Sequence, residues 1–376
     1  MQFSCNQDTF AKYLNIASRI VTNKPGLPIL NNVLFRTEKG KLLITVTDLE
    51  ISLNTWIGAD VQSEGSITVP AKQLSEFINS VSSEKIDVSL NGKTLNIKAE
   101  GNIGDLNTMA PDDYPSIPSI KSHKVVFKID KDELVKTVNR VAFAAATDDI
   151  KPVLTGVKIE VEGDTASFVA TDGLRLSRQI IKLEEGVDKN IDFLVPVKAL
   201  QELAHIINDF EVGKGDSFVQ VFYIEERNQV LFRFNDVDII SRLIDGKFPE
   251  YKQIIPTGGK TKCLFEKEDF LSSLKVTNII ARTVLGNKLV LDIDAKKDTL
   301  TMSATQSDVG SNKSSLGGSI SGENLQIAFS ARLLSDILSH INDEKISFEC
   351  SESVKPGVFK IEGDDTFIHL VMPMML

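Results

Sequence analysis

Lys72, Lys198 and Arg332 are the residues whose placement first suggests a chemistry, the neutralisation of a phosphate or carboxylate partner. They hold the same place in three related segments: Ile67 to Val81 (ITVPAKQLSEFINSV), Phe193 to Ile207 (FLVPVKALQELAHII) and Ile327 to Ile341 (IAFSARLLSDILSHI). The segments align without a gap, at offsets of 126 and then 134. A cation in the first turn of a helix opposes the macrodipole and costs ~0.3–1 kcal/mol. Stability does not select three such cations, whereas an anionic partner on that side would. Lys12 and Arg19 lie seven apart, Lys136 and Arg140 four apart, Lys275 and Arg282 seven apart. Each spacing places both charges on one helical face. Zinc fingers, base-reading motifs and aromatic platforms are missing from the sequence. Contacts would therefore go to phosphates and ignore base sequence.

Other chemistries fail on spacing. Gly259-Lys260-Thr261 ends like a phosphate loop, but Ile254 stands where the first Gly is required. Asp292 and Asp294 begin like a calcium loop, but Lys297 replaces its Gly. His123, His205, His340 and His369 are scattered and pair with no Cys or carboxylate at ligand spacing, so neither metal nor cofactor is expected. Cys5, Cys263 and Cys350 are odd in number and far apart, which fits a reducing cytoplasm without disulfides. A set of 52 acidic residues could hide the carboxylate pair of a β-rich hydrolase. A tripled chain argues against that enzyme reading, because one active site needs asymmetry.

The elements that position the cations follow from periodicity. Leu74, Phe77, Ile78 and Val81 fall at i, i+3, i+4 and i+7, one face of an amphipathic helix. Leu200, Leu203, Ala204 and Ile207 repeat the pattern, as do Leu334, Ile337, Leu338 and Ile341. Upstream, Phe3 and Cys5 alternate as a strand before a helix bearing Phe10, Tyr13, Leu14 and Ala17. Phe127, Ile129, Leu134, Val138 and Val141 match at an offset of 124; Cys263, Phe265, Phe270, Leu274 and Thr277 match more weakly. The unit is strand, helix, strands, helix, strands. The fold expected is α+β, with three repeated domains over 1–123, 124–258 and 259–376 and linkers at Pro111 to Lys124 and Pro256 to Thr261. The Ser-rich stretch Gly310 to Gly322 reads as a flexible loop.

Composition bounds the rest. The 376 residues suggest two or three domains, and 42% hydrophobic with 25% charged residues reads as globular and soluble. No apolar run reaches the ~18 residues of a membrane span. Met1 to Phe10 does not read as a signal peptide, so a cytoplasmic location is expected. The net charge of −10 disfavours nucleic acid unless cations are segregated. The helices are mildly positive and the strands and loops acidic, so helices would line one surface and strands the other.

Several stretches together resemble a known family. They are the tripled helix pattern, Leu27-Pro28-Ile29-Leu30, Ala170-Thr171-Asp172-Gly173-Leu174-Arg175-Leu176, Asp245-Gly246-Lys247-Phe248-Pro249-Glu250-Tyr251 and the terminal Val371-Met372-Pro373-Met374-Met375-Leu376. Over its whole length the chain resembles the bacterial DNA polymerase III beta subunit, the beta sliding clamp. The resemblance implies a non-enzymatic replication processivity factor. It implies a head-to-tail homodimer ring with helices lining the hole and antiparallel β-sheets outside. Partners would be duplex DNA bound without sequence specificity, the replicative polymerase, a clamp loader and other clamp-binding proteins. Lys24 looks like the family's basic loop residue and joins Lys12, Arg19, Lys72, Lys136, Arg140, Lys198, Lys275, Arg282 and Arg332 as DNA-facing.

The resemblance also implies a peptide groove at Leu154, Thr171, Gly173, Leu174, Arg175, Leu176, Pro249, Ile254, Leu370, Met372, Pro373, Met374, Met375 and Leu376, extended by Ser330, Leu333 and Val354. Met375 stands where the family often has Arg, and Leu174 where it often has a polar residue or His. Both departures make the groove greasier. Phe77, Ile78 and Leu106 are expected to meet Ile279 and Ile280 across the dimer interface. A protein-only scaffold that never meets DNA is the competing reading.

Overall fold

A computed structural model describes residues 1–22, 26–117, 124–210 and 215–376. The expected strand–helix–strands order appears three times. The helices are α1 (Gln7–Ile20), α2 (Ala71–Ser80), α3 (Lys131–Val141), α4 (Val197–Asn208), α5 (Lys267–Ala281) and α6 (Ala331–His340). The Asn6 side chain caps α1 by accepting from the Thr9 N–H at 3.0 Å, and Asp8 and Arg19 complement its dipole.

The chain forms two compact units. One comprises Met1–Lys131 with Glu202–Leu243, the other Asp132–Gln201 with Ile244–Leu376. The first unit holds a five-stranded sheet with Asn102–Asn107 at one edge and an eight-stranded sheet. The longer sheet joins two repeats, because Val237–Arg242 pairs antiparallel with Ile51–Gly58 from Val237↔Thr55 to Ser241↔Ile51. Phe3, Phe10 and Phe35 are at most 1% exposed, with ring centroids 5.8–6.3 Å apart. Burying one such ring stabilises the unit by about 1.5–3 kcal/mol.

The second unit repeats this plan with a nine-stranded sheet and a four-stranded one. Its junction pairs Arg175–Lys182 with Asp364–Val371, from Arg175↔Val371 to Gln179↔Phe367. Phe265, Phe270, Phe329, Phe348 and Phe359 fill the core below.

The Ser-rich stretch differs from expectation. Gly310–Gly317 is an edge strand paired residue for residue with Thr299–Gln306. Ser315 and Thr301 hydroxyls meet at 2.9 Å, and Leu316 is buried. Composition misled because small polar residues suit the exposed face of an edge strand.

Candidate functional sites at the helix starts and the C-terminal tail

Lys72, Lys198 and Arg332 are exposed in the first turns of α2, α4 and α6. Those three turns contain no acidic residue, whereas α1, α3 and α5 begin with Asp8, with Asp132 and Glu133, and with Glu268 and Asp269. The first helix of each repeat thus obeys the dipole rule and the second breaks it. The six helices carry ten Lys and Arg against eight Asp and Glu. The surplus of two, against a net charge of −10, leaves −12 on strands and loops.

The other expected cations fare differently. Lys275 and Arg282 are exposed on α5 and at its end. Lys136 is exposed 3.6 Å from Glu133. Lys12 lies 3.5 Å over the Phe210 ring. Arg19 is held by Glu202 at 2.6 Å and Asp209 at 2.8 Å. Lys24 lies outside the described residues.

Arg140 is a correction. Its side chain is 6% exposed and bound by Asp343 at 2.7 Å and Asp364 at 2.8 Å, with Gln179 at 3.1 Å. The spacing from Lys136 suggested one shared surface, but two carboxylates draw Arg140 inward and neutralise it. Burial alone would raise the Asp364 pKa; hydrogen bonds from Thr366 and Arg140 outweigh burial and hold it below the usual carboxylate range. That stabilisation is present above the ordinary carboxylate pKa and is lost as pH falls through the lowered one. Arg140→Ala is expected to cost about 1–3 kcal/mol, since it removes the cation from two part-buried carboxylates. Urea midpoints check this.

The second site is built around a turn and the chain's last residues, all within the second unit. Gly173 sits at φ 91°, where a side chain would be strained. The Thr171 hydroxyl donates to the Arg175 carbonyl at 2.6 Å. Asp172 Oδ1 accepts from the N–H groups of Leu174 and Arg175 at 2.9 and 3.0 Å. The Met372 N–H then donates to the Leu174 carbonyl at 2.9 Å, and the Met374 N–H to the Ala328 carbonyl at 2.8 Å. Pro373 lies between, so the tail leaves one sheet and pins itself to the edge of the other.

Four of the expected groove residues, Leu154, Leu176, Leu333 and Leu370, are 7% exposed or less; Leu176 and Leu370 belong to one apolar floor, whereas Leu333 packs in the neighbouring core. Thr171 and Arg175 are also buried. Gly173, Leu174, Pro249, Ile254, Val354, Met372, Met375 and Leu376 are exposed, with Ser330, Pro373 and Met374 between the extremes. A hollow of about 600 Å³ is lined by Ile254, Val354 and Met372, with Ile255, Pro256 and Val358. Sequence reasoning missed Val358, Phe248 and Tyr251, which pack with Leu176 and Leu370 in one cluster. The Pro-Tyr turn was visible as a turn, but nothing in it announced a buried Tyr.

The first unit contains the same turn without the same floor. Thr47 donates to the Ile51 carbonyl at 3.1 Å, and Asp48 Oδ1 accepts from Glu50 and Ile51. Leu49 takes the place of Gly173, at φ 78°. Val169, Leu176, Leu194 and Ile368 of the apolar floor correspond in register to Thr45, Ser52, Thr68 and Asp238. Thr45 bonds Asn54 and Asp238 bonds Arg233, so that surface is polar and internally satisfied.

At the expected dimer edges, Ile78 is a second correction. It is 0% exposed, facing its own unit's core, and cannot reach a partner. Phe77 is half-buried over the edge strand, since a Cβ on Gly104 would lie 2.7 Å from its ring. Leu106 is half-buried on that strand, and Ile103, not anticipated, is 69% exposed there. Ile279 is 56% exposed; Ile280 packs partly against its own core.

Among the described residues no His, Cys, Asp and Glu group could hold a metal, and no helix is long and apolar enough to cross a membrane. Three family models match, described as the N-terminal, central and C-terminal domains of the DNA polymerase III beta subunit, over residues 1–118, 128–250 and 252–375. The chain is 28% identical over 383 residues to the beta sliding clamp of Synechococcus elongatus, covering 100% of both. It is similar to the DNA polymerase III beta subunit of Thermotoga maritima, at 26% identity and a TM-score of 0.92, covering 100% of this chain and 99% of that one. A DNA polymerase sliding clamp from Pseudomonas aeruginosa matches at 27% identity and a TM-score of 0.91, covering 100% of both chains.

Proposed function

The chain belongs to the DNA polymerase III beta subunit family and is a DNA sliding clamp, not an enzyme, and on that premise we propose which of its surfaces meet DNA, partners and a second copy. The observation that carries the DNA side is the charge inversion of the helix starts. Lys72, Lys198 and Arg332 stand where carboxylates would be more stable, so an external anion makes up the deficit. Phosphate supplies that anion, and the acidic strands repel DNA from elsewhere. Contacts of this kind exchange freely, which suits sliding; closure of a ring, not affinity, keeps the protein in place. A protein-only scaffold would not maintain three inverted helix starts in register.

The ring consists of two chains, each of three domains over 1–123, 124–258 and 259–376, placed head to tail in the cytoplasm. Ile103, Leu106 and Phe77 beside one free sheet edge meet the partner subunit's Ile279 near another. The solution mass at micromolar concentration is expected to be twice the 41.4 kDa of one chain. Ile103→Glu with Ile279→Glu should leave single chains, because two buried charges would enter an apolar contact. A parent mass of one chain would remove the ring.

The groove around Leu174, Met372 and Met374 receives a short apolar peptide of the replicative polymerase, the clamp loader and other partners. A flexible, Met-rich rim suits several sequences. Among the described residues, the positions of the first junction that match Val169, Leu176, Leu194 and Ile368 are polar, which favours one peptide groove per chain.

A further inference from the structure

Arg175 lies at the centre of the groove turn but has no charge to offer a ligand. Its side chain is 6% exposed. Nε donates to Asp172 at 3.0 Å and Nη1 to Asp336 at 2.6 Å, and the guanidinium sits 5.3 Å from the Phe143 ring centre. Asp172 belongs to the turn itself, whereas Asp336 comes from α6, one turn after Arg332.

The equivalent places in the first unit show that this wiring is particular to the groove. Glu202 corresponds to Asp336 at the offset of 134, and Arg19 to Phe143 at the offset of 124. In the first unit the helix carboxylate, Glu202, takes Arg19 at 2.6 Å, and the turn has the neutral Ile51 where the second unit has Arg175. In the second unit Phe143 replaces the helix arginine, and the carboxylate turns to Arg175 instead. The Thr47 turn forms with Ile51 in that place, so an arginine there is not needed to make the turn. What it adds is a second anchor for the residue after Leu174, whose carbonyl receives the Met372 N–H.

We propose that Asp336 is a positioning residue of the peptide groove, acting through Arg175 to fix the turn that carries Leu174 and receives the Met372 N–H, at the spacing a docking peptide needs. The proposal rests on the groove reading above. The probe is the purified cognate replicative polymerase, bound to the dimer on a sensor surface. Asp336→Asn should weaken binding about tenfold, the size of one charge-assisted hydrogen bond, and Asp336→Glu should restore most of it. A purely structural role is separated by Arg175→Met with Asp336→Leu, which replaces the pair by apolar groups that often preserve stability, while the Asp172 carboxylate keeps its two backbone N–H donors. That double variant should melt near the parent temperature yet bind about tenfold more weakly. Parent-like polymerase affinity in it would overturn the proposal. Absence of binding by the parent would overturn the groove reading and this inference with it. Variants of the exposed rim separate the two: if Met372→Ala weakens binding while Asp336→Asn does not, the groove stands and the role of Asp336 falls.

Discussion

Once placed by a loader on a nicked circular plasmid, the protein should stay bound through washing in moderate salt and should leave the same DNA within minutes of linearisation. A ring held by topology has no release route on a circle and two open ends on a line. A protein held by phosphate contacts alone would be released from both at the same salt, because each neutralised phosphate contributes ~0.9 to the log–log salt slope. Lys72→Glu, Lys198→Glu and Arg332→Glu together should cut loading at least about tenfold, with most of the effect at low ionic strength, where screening is weakest. Their side chains are exposed in the first turns of three helices, and carboxylates there agree with the dipole, so the variant should fold at least as stably. Folding and function are expected to move in opposite directions. Equal lifetimes on circular and linear DNA would sink the encircling mechanism, and unimpaired loading of the triple variant would sink the assignment of those helix starts to DNA.

Much of this was legible because repetition averages away accident. A single Lys72 says little, but the same misplaced charge at Lys198 and Arg332 does not arise from local stability. Periodicity located α2, α4 and α6 within a few residues because their apolar faces are clean. Arg140 was misplaced for a reason that spacing cannot expose: its carboxylates, Asp343 and Asp364, are more than two hundred positions away along the chain. Ile78 was misplaced because an apolar helix face does not say whether it meets its own core or a partner. Ile103 was overlooked in a polar strand, NIGDLN, with no alternation strong enough to mark an exposed apolar residue. Tertiary pairing decides such cases, and sequence periodicity stops short of it.

The groove yields the second large effect, and the structure says which residues must be changed to see it. Leu174 is 61% exposed and Met372 is 38% exposed, so truncating either removes surface that a peptide would cover and little that the fold uses. Leu176, at 3%, is different: Leu176→Ala opens a cavity beside Val169, Phe248 and Tyr251 and should cost about 2–5 kcal/mol of stability. A loss of docking in that variant would mix two causes. Met372→Ala with Leu174→Ala isolates one. Full burial of each side chain stabilises by about 1.5–3 kcal/mol, and each regains only part of that on docking, so polymerase affinity should fall roughly thirty- to hundredfold. Ring mass and melting temperature should be unchanged. Because the charge of Arg175 is paired with Asp172 and Asp336, the parent's polymerase affinity should vary little with salt while its DNA contacts vary steeply. Full polymerase binding by the double variant, or a docking affinity that collapses in salt as DNA binding does, would mean that an apolar peptide is not what this groove receives.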